Sequence, residues 1–531
     1  MRANLILAVT ALCAVPAARA LADDPPGGPI EPPPPPPDAA PPTGPGDTTG
    51  SDAATTEPEP APVPAADDVA ALRSRVRELE DRVDEVEKHA SLQRLEWSGD
   101  YRTTLSSFWY HGASPDGNPY GPPVVIDDRN AEQWLHRVRL MIKAEPSKRF
   151  RFRGRASVFK RFGSNTVTPS PQDFSEGRIP RDTALRLDRF WLDWFITPEV
   201  ALSFGRISYS DGSPAELREN LAQPDATWGM TMVDGEYETV DLTFQPSARV
   251  LLRGFYASWA FPRNDDLFSS NLFLNSGTDN LRIVGGNADF TVPEAKLFAQ
   301  VGAYVVPQFR PFSIPIPNPM PPANPGNAPP PLDGSLVFPS SMPDSLGRYA
   351  NVSLFVMLRD IAGFDVFAGG ALGLLDPNGK SIGYPLAPDG SSVPVLQLAS
   401  ADPGASHLTK FFYAGGRFTL PVGATRAPKV GVEFNYGSRY NISFAQPTDT
   451  LTNKLANRGN AYEAYLIQPI DERAFVRLDW LYIDTKYTGG FFGAPDPDPA
   501  SGQPPHGGTA PPVNPTGQTL HALSLTLHAN F

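Results

Sequence analysis

The chain has 531 residues, 58 acidic against 45 basic side chains, a formal net charge of −13 and 40% hydrophobic residues. One cysteine excludes a disulfide framework, the net charge says little about a membrane protein, and no nucleic-acid partner is expected. From Arg94 onward no apolar run approaches the ~20 residues that a transmembrane helix needs.

Residues 1–20 hold one basic residue, Arg2, an apolar run from Leu5 to Val15, and the small-x-small triplet Ala18-Arg19-Ala20. This is the pattern of a secretory signal peptide. Cys13 lies inside it, after the bulky Leu12 and not after the small residues of a lipoprotein site. The mature chain is therefore expected to carry no thiol chemistry.

Residues 21–66 are rich in Pro, Ala, Asp and Thr, with consecutive prolines from Pro32 to Pro37. Such a composition buries no core and reads as a disordered linker. Extended as polyproline II at about 3.1 Å per residue, it reaches on the order of 130 Å. That length suits a strap through the cell wall, with peptidoglycan as a candidate partner. A disordered tail is the plainer reading.

Residues 67–92 change character. Val69, Leu72, Val76, Leu79, Val83, Val86 and Ala90 recur at spacings of three and four, the seam of a coiled coil. Arg75 and Arg82 at g positions can reach Glu80 and Glu87 at e positions of a neighbouring helix. Val at a with Leu at d favours a dimer. The tandem segments R-V-R-E-L-E (75–80) and R-V-D-E-V-E (82–87), however, resemble the Arg-h-x-x-h-Glu pattern of short trimeric coiled coils. That resemblance implies a homotrimer, and a single amphipathic helix is the alternative.

Residues 94–531 repeat strand, short turn, strand, long loop. Strands are expected near 94–110, 132–145, 150–162, 184–196, 199–209, 236–245, 249–261, 280–290, 294–306, 347–359, 363–375, 408–420, 429–439, 460–468, 473–487 and 518–531. Short turns centre on Pro146, Pro198, Pro246, Pro293, Gly363, Pro421 and Pro469, and long loops fill the alternate connections. Val430, Val432, Phe434 and Tyr436 alternate with Lys429, Glu433 and Asn435, one apolar face against one polar face. The fold class expected is all-β: an antiparallel transmembrane β-barrel of about 16 strands, preceded by a short α-helical coiled coil. A β-sandwich gives no reason to keep all long loops on one side. Strands 184–196, 199–209 and 460–468 alternate poorly, which leaves their inner faces open.

The last stretch, 519–531, puts Leu523, Leu525, Leu527, Ala529 and Phe531 on one face. A strand ending on an aromatic residue resembles the closing strand of bacterial outer-membrane barrels, which implies recognition by the barrel-assembly machinery. Ala529 departs from the usual second aromatic. The segments R-F-W-L-D-W (189–194), F-G-R-I-S-Y-S-D-G-S-P-A-E-L-R-E-N (204–220) and V-D-G-E-Y-E-T (233–239) resemble a porin-like family catalogued as a domain of unknown function. Its members share a signal peptide, a short coiled coil and an outer-membrane barrel. The resemblance implies a place in outer-membrane lipid with the N-terminal segment in the periplasm, and no particular cargo.

No H-E-x-x-H, G-x-S-x-G or phosphate-binding glycine loop occurs. His407 reads as isolated in a loop, and His521 and His528 flank the final strand with no serine or acid partner evident. The acidic segments 264–266 and 495–499 match no calcium cage. No enzyme activity, metal or cofactor is expected.

Parity names the chemistry of one wall. If Trp134, Val138, Leu140 and Ile142 face lipid, then Arg137, Arg139 and Lys143 face inward, as do Arg151, Arg153, Arg155 and Arg161 on the next strand. A one-residue slip would place these cations in hydrocarbon at about 2–4 kcal/mol each near the midplane. The third long loop carries Asp211, Glu216, Glu219, Asp225 and Asp234, with Arg218 as its cation. It resembles, in ordinal position and charge, the loop that folds into general porins and sets acids against a basic wall. The function expected is a porin-like channel for passive diffusion of small hydrophilic solutes or ions, with anions preferred if the wall outweighs the loop. The competing expectation is a structural protein tethering membrane to cell wall. In the bland alternative the arginines pair with inward acids such as Glu145 and the loop stays outside.

Overall fold

The computed structural model describes residues 74–80, 82, 95–114, 124–161, 185–226, 229, 235–259, 281–309, 316–317, 336–337, 340–341, 343–384, 393–398, 404–422, 426–442, 454–487 and 518–531. The strands are β1 (Leu95–Ser114), β2 (Val124–Ser147), β3 (Phe150–Arg161), β4 (Arg186–Phe195), β5 (Val200–Ser208), β6 (Glu236–Ser247), β7 (Val250–Trp259), β8 (Leu281–Val292), β9 (Leu297–Val306) and β10 (Ile316–Pro317). They continue with β11 (Leu336–Val337), β12 (Gly347–Ile361), β13 (Phe364–Pro377), β14 (Ser381–Tyr384), β15 (Val393–Gln397), β16 (His407–Thr419), β17 (Lys429–Gly437), β18 (Gly459–Pro469), β19 (Ala474–Thr485) and β20 (Gln518–Asn530). Sixteen of them close into one barrel, in chain order with β10, β11, β14 and β15 left out. Those four form two small two-stranded sheets within the long connections. Every barrel pair is antiparallel, and β1 meets β20 from Asp100↔Asn530 to His111↔Thr519.

Each expected strand has its counterpart. The largest departure is β2, which begins at Val124 and not near 132. A bulge between Ser106 and Phe108 lets Phe108–Ser114 keep pairing with Val124–Asn130, a stretch whose sequence alternates too weakly to announce a strand.

The pleat sorts the side chains. Trp97, Trp134, Val138, Leu140, Val352, Leu354, Val430, Val432 and Tyr436 stand exposed on the outer face. Arg137, Arg139, Asn351, Ser353, Glu433 and Asn435 are buried on the inner one. In β4 a register shift between Arg155 and Ala156 of the neighbouring strand turns both Asp188 and Arg189 inward, side by side in sequence. That bulge is why this strand alternates poorly.

The interior is less polar than expected of a water-filled lumen. Phe355, Met357, Phe367, Phe411 and Tyr413 form one buried apolar cluster, and Phe108, Tyr110, Ile483 and Leu520 belong to another. In the first of these Leu217 packs among the inward apolar side chains, which removes their surface from water.

The seam closes tightly at the C-terminus. Gly99 N donates to the Phe531 carbonyl and Phe531 N to that of Gly99, both at 2.9 Å. A Cβ on residue 99 would sit 2.5 Å from the Phe531 ring and 2.6 Å from the Arg139 carbonyl, so only glycine admits the aromatic there.

The chain divides into two units, the second of which ends at Arg94. Within it residues 74–80 are helical, and Val76 and Leu79 of the expected seam are 50% and 58% exposed. Arg75, Glu80 and Arg82 are exposed and helical as well. Val69, Leu72, Val83, Val86 and Glu87, with the signal peptide and linker, lie outside the described residues.

Candidate functional site

The inner face of β2 and β3 gathers the cations that parity assigned to it. Arg137, Arg139 and Arg155 are buried, whereas Lys143, Arg151 and Arg153 are half-buried. Arg161 is the last residue of β3, opposite Leu135. Acids answer most of this wall at close range. Arg137 Nη2 donates to Asp100 Oδ1 at 2.7 Å, Arg155 Nε to Asp188 Oδ2 at 2.9 Å, and Arg151 Nε to Glu145 Oε1 at 2.7 Å. Arg189 Nε donates to Glu236 Oε1 at 2.9 Å.

After β5 the chain turns into the barrel and crosses it. On the β2–β4 side, Asp211 lies 3.5 Å from Arg139, and Asp225 accepts from Arg189 at 2.7 Å and from Arg155 at 3.0 Å. A short helix, Ala215–Arg218, reaches the opposite wall. There Leu217 joins the apolar cluster of Phe355 and Phe411, where hydrophobic burial seats it. Glu216 pairs with Arg359, and Arg218 donates to Glu463 at 3.0 Å. Glu219 accepts from Arg477 at 3.1 Å and lies 3.4 Å from Arg102. Lys429 Nζ donates to Asn220 Oδ1 at 2.6 Å.

The wall also satisfies the segment's backbone. Arg417 donates to the Leu217 carbonyl, Arg477 to that of Arg218, and Arg359 to that of Ala222, at 2.8, 2.8 and 2.7 Å. Interior carbonyls without partners would each cost about 1–3 kcal/mol, so these arginines hold a chain that could not otherwise remain inside. The segment's charges are held as well. Burial would raise the Asp225 carboxyl, but Arg189, Arg155 and Arg139 outweigh it and bring it down to about 2. Burial acts likewise on Glu219, and Arg477, Arg102 and Arg218 hold its carboxyl well below the usual range.

The expected acids thus contact the wall and do not face it across a gap. Asp234 lies outside the described residues. Of the expected assembly residues, Leu523, Leu525 and Leu527 stand on the outer face at 40–48% exposure, and Phe531 is 59% exposed beside Gly99.

Two histidine readings need correction. His407 is not in a loop: it opens β16, is buried, and stacks on Tyr440 with ring centroids 3.7 Å apart. His528 does have acid neighbours, Asp100 at 3.6 Å and Glu219 at 3.7 Å, and among the described residues neither ring nitrogen makes a hydrogen bond. Both partners come from elements remote in sequence, so no local pattern could reveal them. His521 is exposed and lies tilted against the Tyr482 ring, with centroids 4.6 Å apart. Among the described residues no group of three or more His, Cys, Asp or Glu could hold a metal ion.

Sequence reasoning missed Asp188, Arg189, Glu236, Glu463 and Arg477. The adjacent charges in R-L-D-R (186–189), which break the alternation, were the one local signal for the first two.

Much of this charged interior lies in the stretches that match a family model, described as protein of unknown function (DUF3373), over residues 127–260 and 340–499, more than half of the chain. The chain belongs to this family. No curated protein matches this DUF3373 member in sequence. Among solved structures, OprB of Pseudomonas putida at high pH is 10% identical with a TM-score of 0.43, over 83% of this chain and 96% of that one. The outer membrane channel DcaP of Acinetobacter baumannii is 10% identical with a TM-score of 0.41, over 82% and 97%. OmpT of Vibrio cholerae, an outer membrane protein in its trimer form, is 8% identical with a TM-score of 0.39, over 82% and 99%.

Proposed function

We propose that this protein is a porin-like channel of the bacterial outer membrane, passing small hydrophilic solutes or ions by passive diffusion. The observation that carries this reading is the closed sixteen-stranded barrel with an apolar outside and a charged inside, crossed by residues 209–226. A closed barrel leaves no strand edge unsatisfied in lipid, and its period-two faces suit hydrocarbon outside and water within. In this reading Leu523, Leu525, Leu527 and Phe531 are the signal for the barrel-assembly machinery, and residues 67–92 trimerise the protein from the periplasm. The crossing segment forms the constriction. Asp211, Glu216, Glu219 and Asp225 act in it as anchors, because each contacts a wall arginine, and they lend little free charge to the path.

Selectivity then falls to the half-exposed cations Lys143, Arg151 and Arg153, and the channel prefers anions. Single-channel conductance in a planar bilayer, with reversal potential in a salt gradient, tests this reading. Discrete conductance with an anion-directed potential supports it. Complete absence of current, as a plugged wall tether would give, overturns it.

A further inference from the structure

We infer that Arg153, flanked by Arg151 and Lys143, is a receptor for singly charged carboxylates toward the short-turn mouth of the lumen. This rests on the channel reading above and gives it a solute class.

Three neighbouring strands build the patch. Lys143 of β2 stands directly across from Arg153 of β3, which stands directly across from Trp191 of β4. All lie a few residues from the β2–β3 turn, where Ser147 faces Phe150. The Arg153 guanidinium lies over the Trp191 ring at 5.6 Å, and that of Arg151 over the Phe195 ring at 5.1 Å. An aromatic ring shields one face of each fork and attracts its charge.

Arg153 differs from its neighbours in what it does with its donors. Arg155, two residues along the same face, is 2% exposed and donates to Asp188 and Asp225. Arg153 is 40% exposed and, among the described residues, makes no hydrogen bond; its Nε is buried without a partner. Its nearest acid, Asp193, pairs with it loosely, beyond hydrogen-bond reach. Asp193 Oδ1 accepts from Trp191 Nε1 at 3.1 Å and Ser203 Oγ at 2.7 Å, leaving Oδ2 3.8 Å from Arg153. A guanidinium with its charge in place, one face on a ring and its N–H groups uncommitted has the geometry that receives a carboxylate in the plane of the fork.

The same surroundings select charge. Glu145 and Asp193 border the patch, so a second negative charge on the solute meets like charge at close range. A monocarboxylate is therefore favoured over dianionic phosphate. Binding is expected to be weak, as passage requires a site that solutes leave as readily as they enter.

The experiment uses the full-length protein in planar bilayers, with chloride current measured while acetate, or phosphate at pH 7.5, is added. Acetate should lower the chloride current with saturation, and phosphate should do so less effectively. Arg153→Gln should raise the half-saturating acetate concentration about tenfold, the loss of one charge-assisted hydrogen bond. Arg153→Lys, which keeps the charge without the fork, should fall between the two. Arg249→Gln in an exposed short turn should match the wild type. Heat-modifiable migration on gels confirms that each variant is folded, and Arg153→Lys decides if Arg153→Gln is not. Current that falls without saturation, an unchanged Arg153 variant, or tighter binding of phosphate overturns the inference while leaving the channel standing. If no current is seen at all, the channel reading fails, and calorimetric titration of acetate into the detergent-folded barrel then decides the receptor by itself.

Discussion

Replacing Asp225 with Asn isolates the hold of the crossing segment on its basic wall. The carboxylate is 26% exposed and accepts from Arg189 at 2.7 Å and Arg155 at 3.0 Å. Burial opposes its charge, but the guanidiniums prevail and set the carboxyl at about 2, against 3.8 for an ordinary aspartate. At 1.36 kcal/mol per pKa unit, the ionised form contributes about 2 kcal/mol, a factor of about 30 in the docking equilibrium. Asp188 and Glu236 still answer the two arginines in the variant, so the ~3–5 kcal/mol of a fully broken buried pair is not expected. The folded value lies below the unfolded one. The contribution is therefore complete above about pH 4 and fades as the pH falls toward about 2. Hydrogen–deuterium exchange of peptides covering 209–226, in the folded barrel, reads the effect. At neutral pH the variant should exchange about 30-fold faster there, with the strands unchanged. Wild-type protection, corrected for intrinsic rates, should hold from pH 7 to about pH 5 and decline below about pH 4. Equal protection in both proteins at neutral pH would refute the reasoning.

Three further outcomes are expected. Arg151→Glu with Arg153→Glu should move the reversal potential toward cations with residues 209–226 still protected, whereas Arg155→Glu should release that segment, since Arg155 is buried among Asp188, Asp225 and Glu236. Gly99→Val should slow closure and leave protease-sensitive chain, because its side chain occupies the place of the Phe531 ring; normal heat-modifiable folding would count against the seam as described. Deleting 67–90 should turn a heat-modifiable oligomer into monomer on gels, and an unchanged oligomer would assign trimer contacts to the barrel walls instead.

The alternation of apolar and polar residues, punctuated by proline or, at residue 363, glycine at the short turns, determined the sixteen barrel strands and the faces of those that alternate cleanly. A period of two is a local property: Val430, Val432 and Phe434 must share a side whatever lies beyond them. The inward orientation of Arg137, Arg139 and Arg155 followed from the same arithmetic, since the outer face tolerates no such charge. Only the tertiary structure decided what those arginines do. Asp225 reaches Arg155 across 70 positions, and Glu219 reaches Arg477 across 258. Leu217 finds its seat among phenylalanines contributed by β12, β13 and β16. The acids of the third long loop were legible as acids facing a basic wall, yet nothing local distinguishes an acid that faces an arginine from one that holds it. That distinction depends on how far the chain enters the barrel. Entry is set by the summed demand of buried carbonyls, a buried leucine and paired charges for partners on opposite walls, which no stretch of sequence contains by itself.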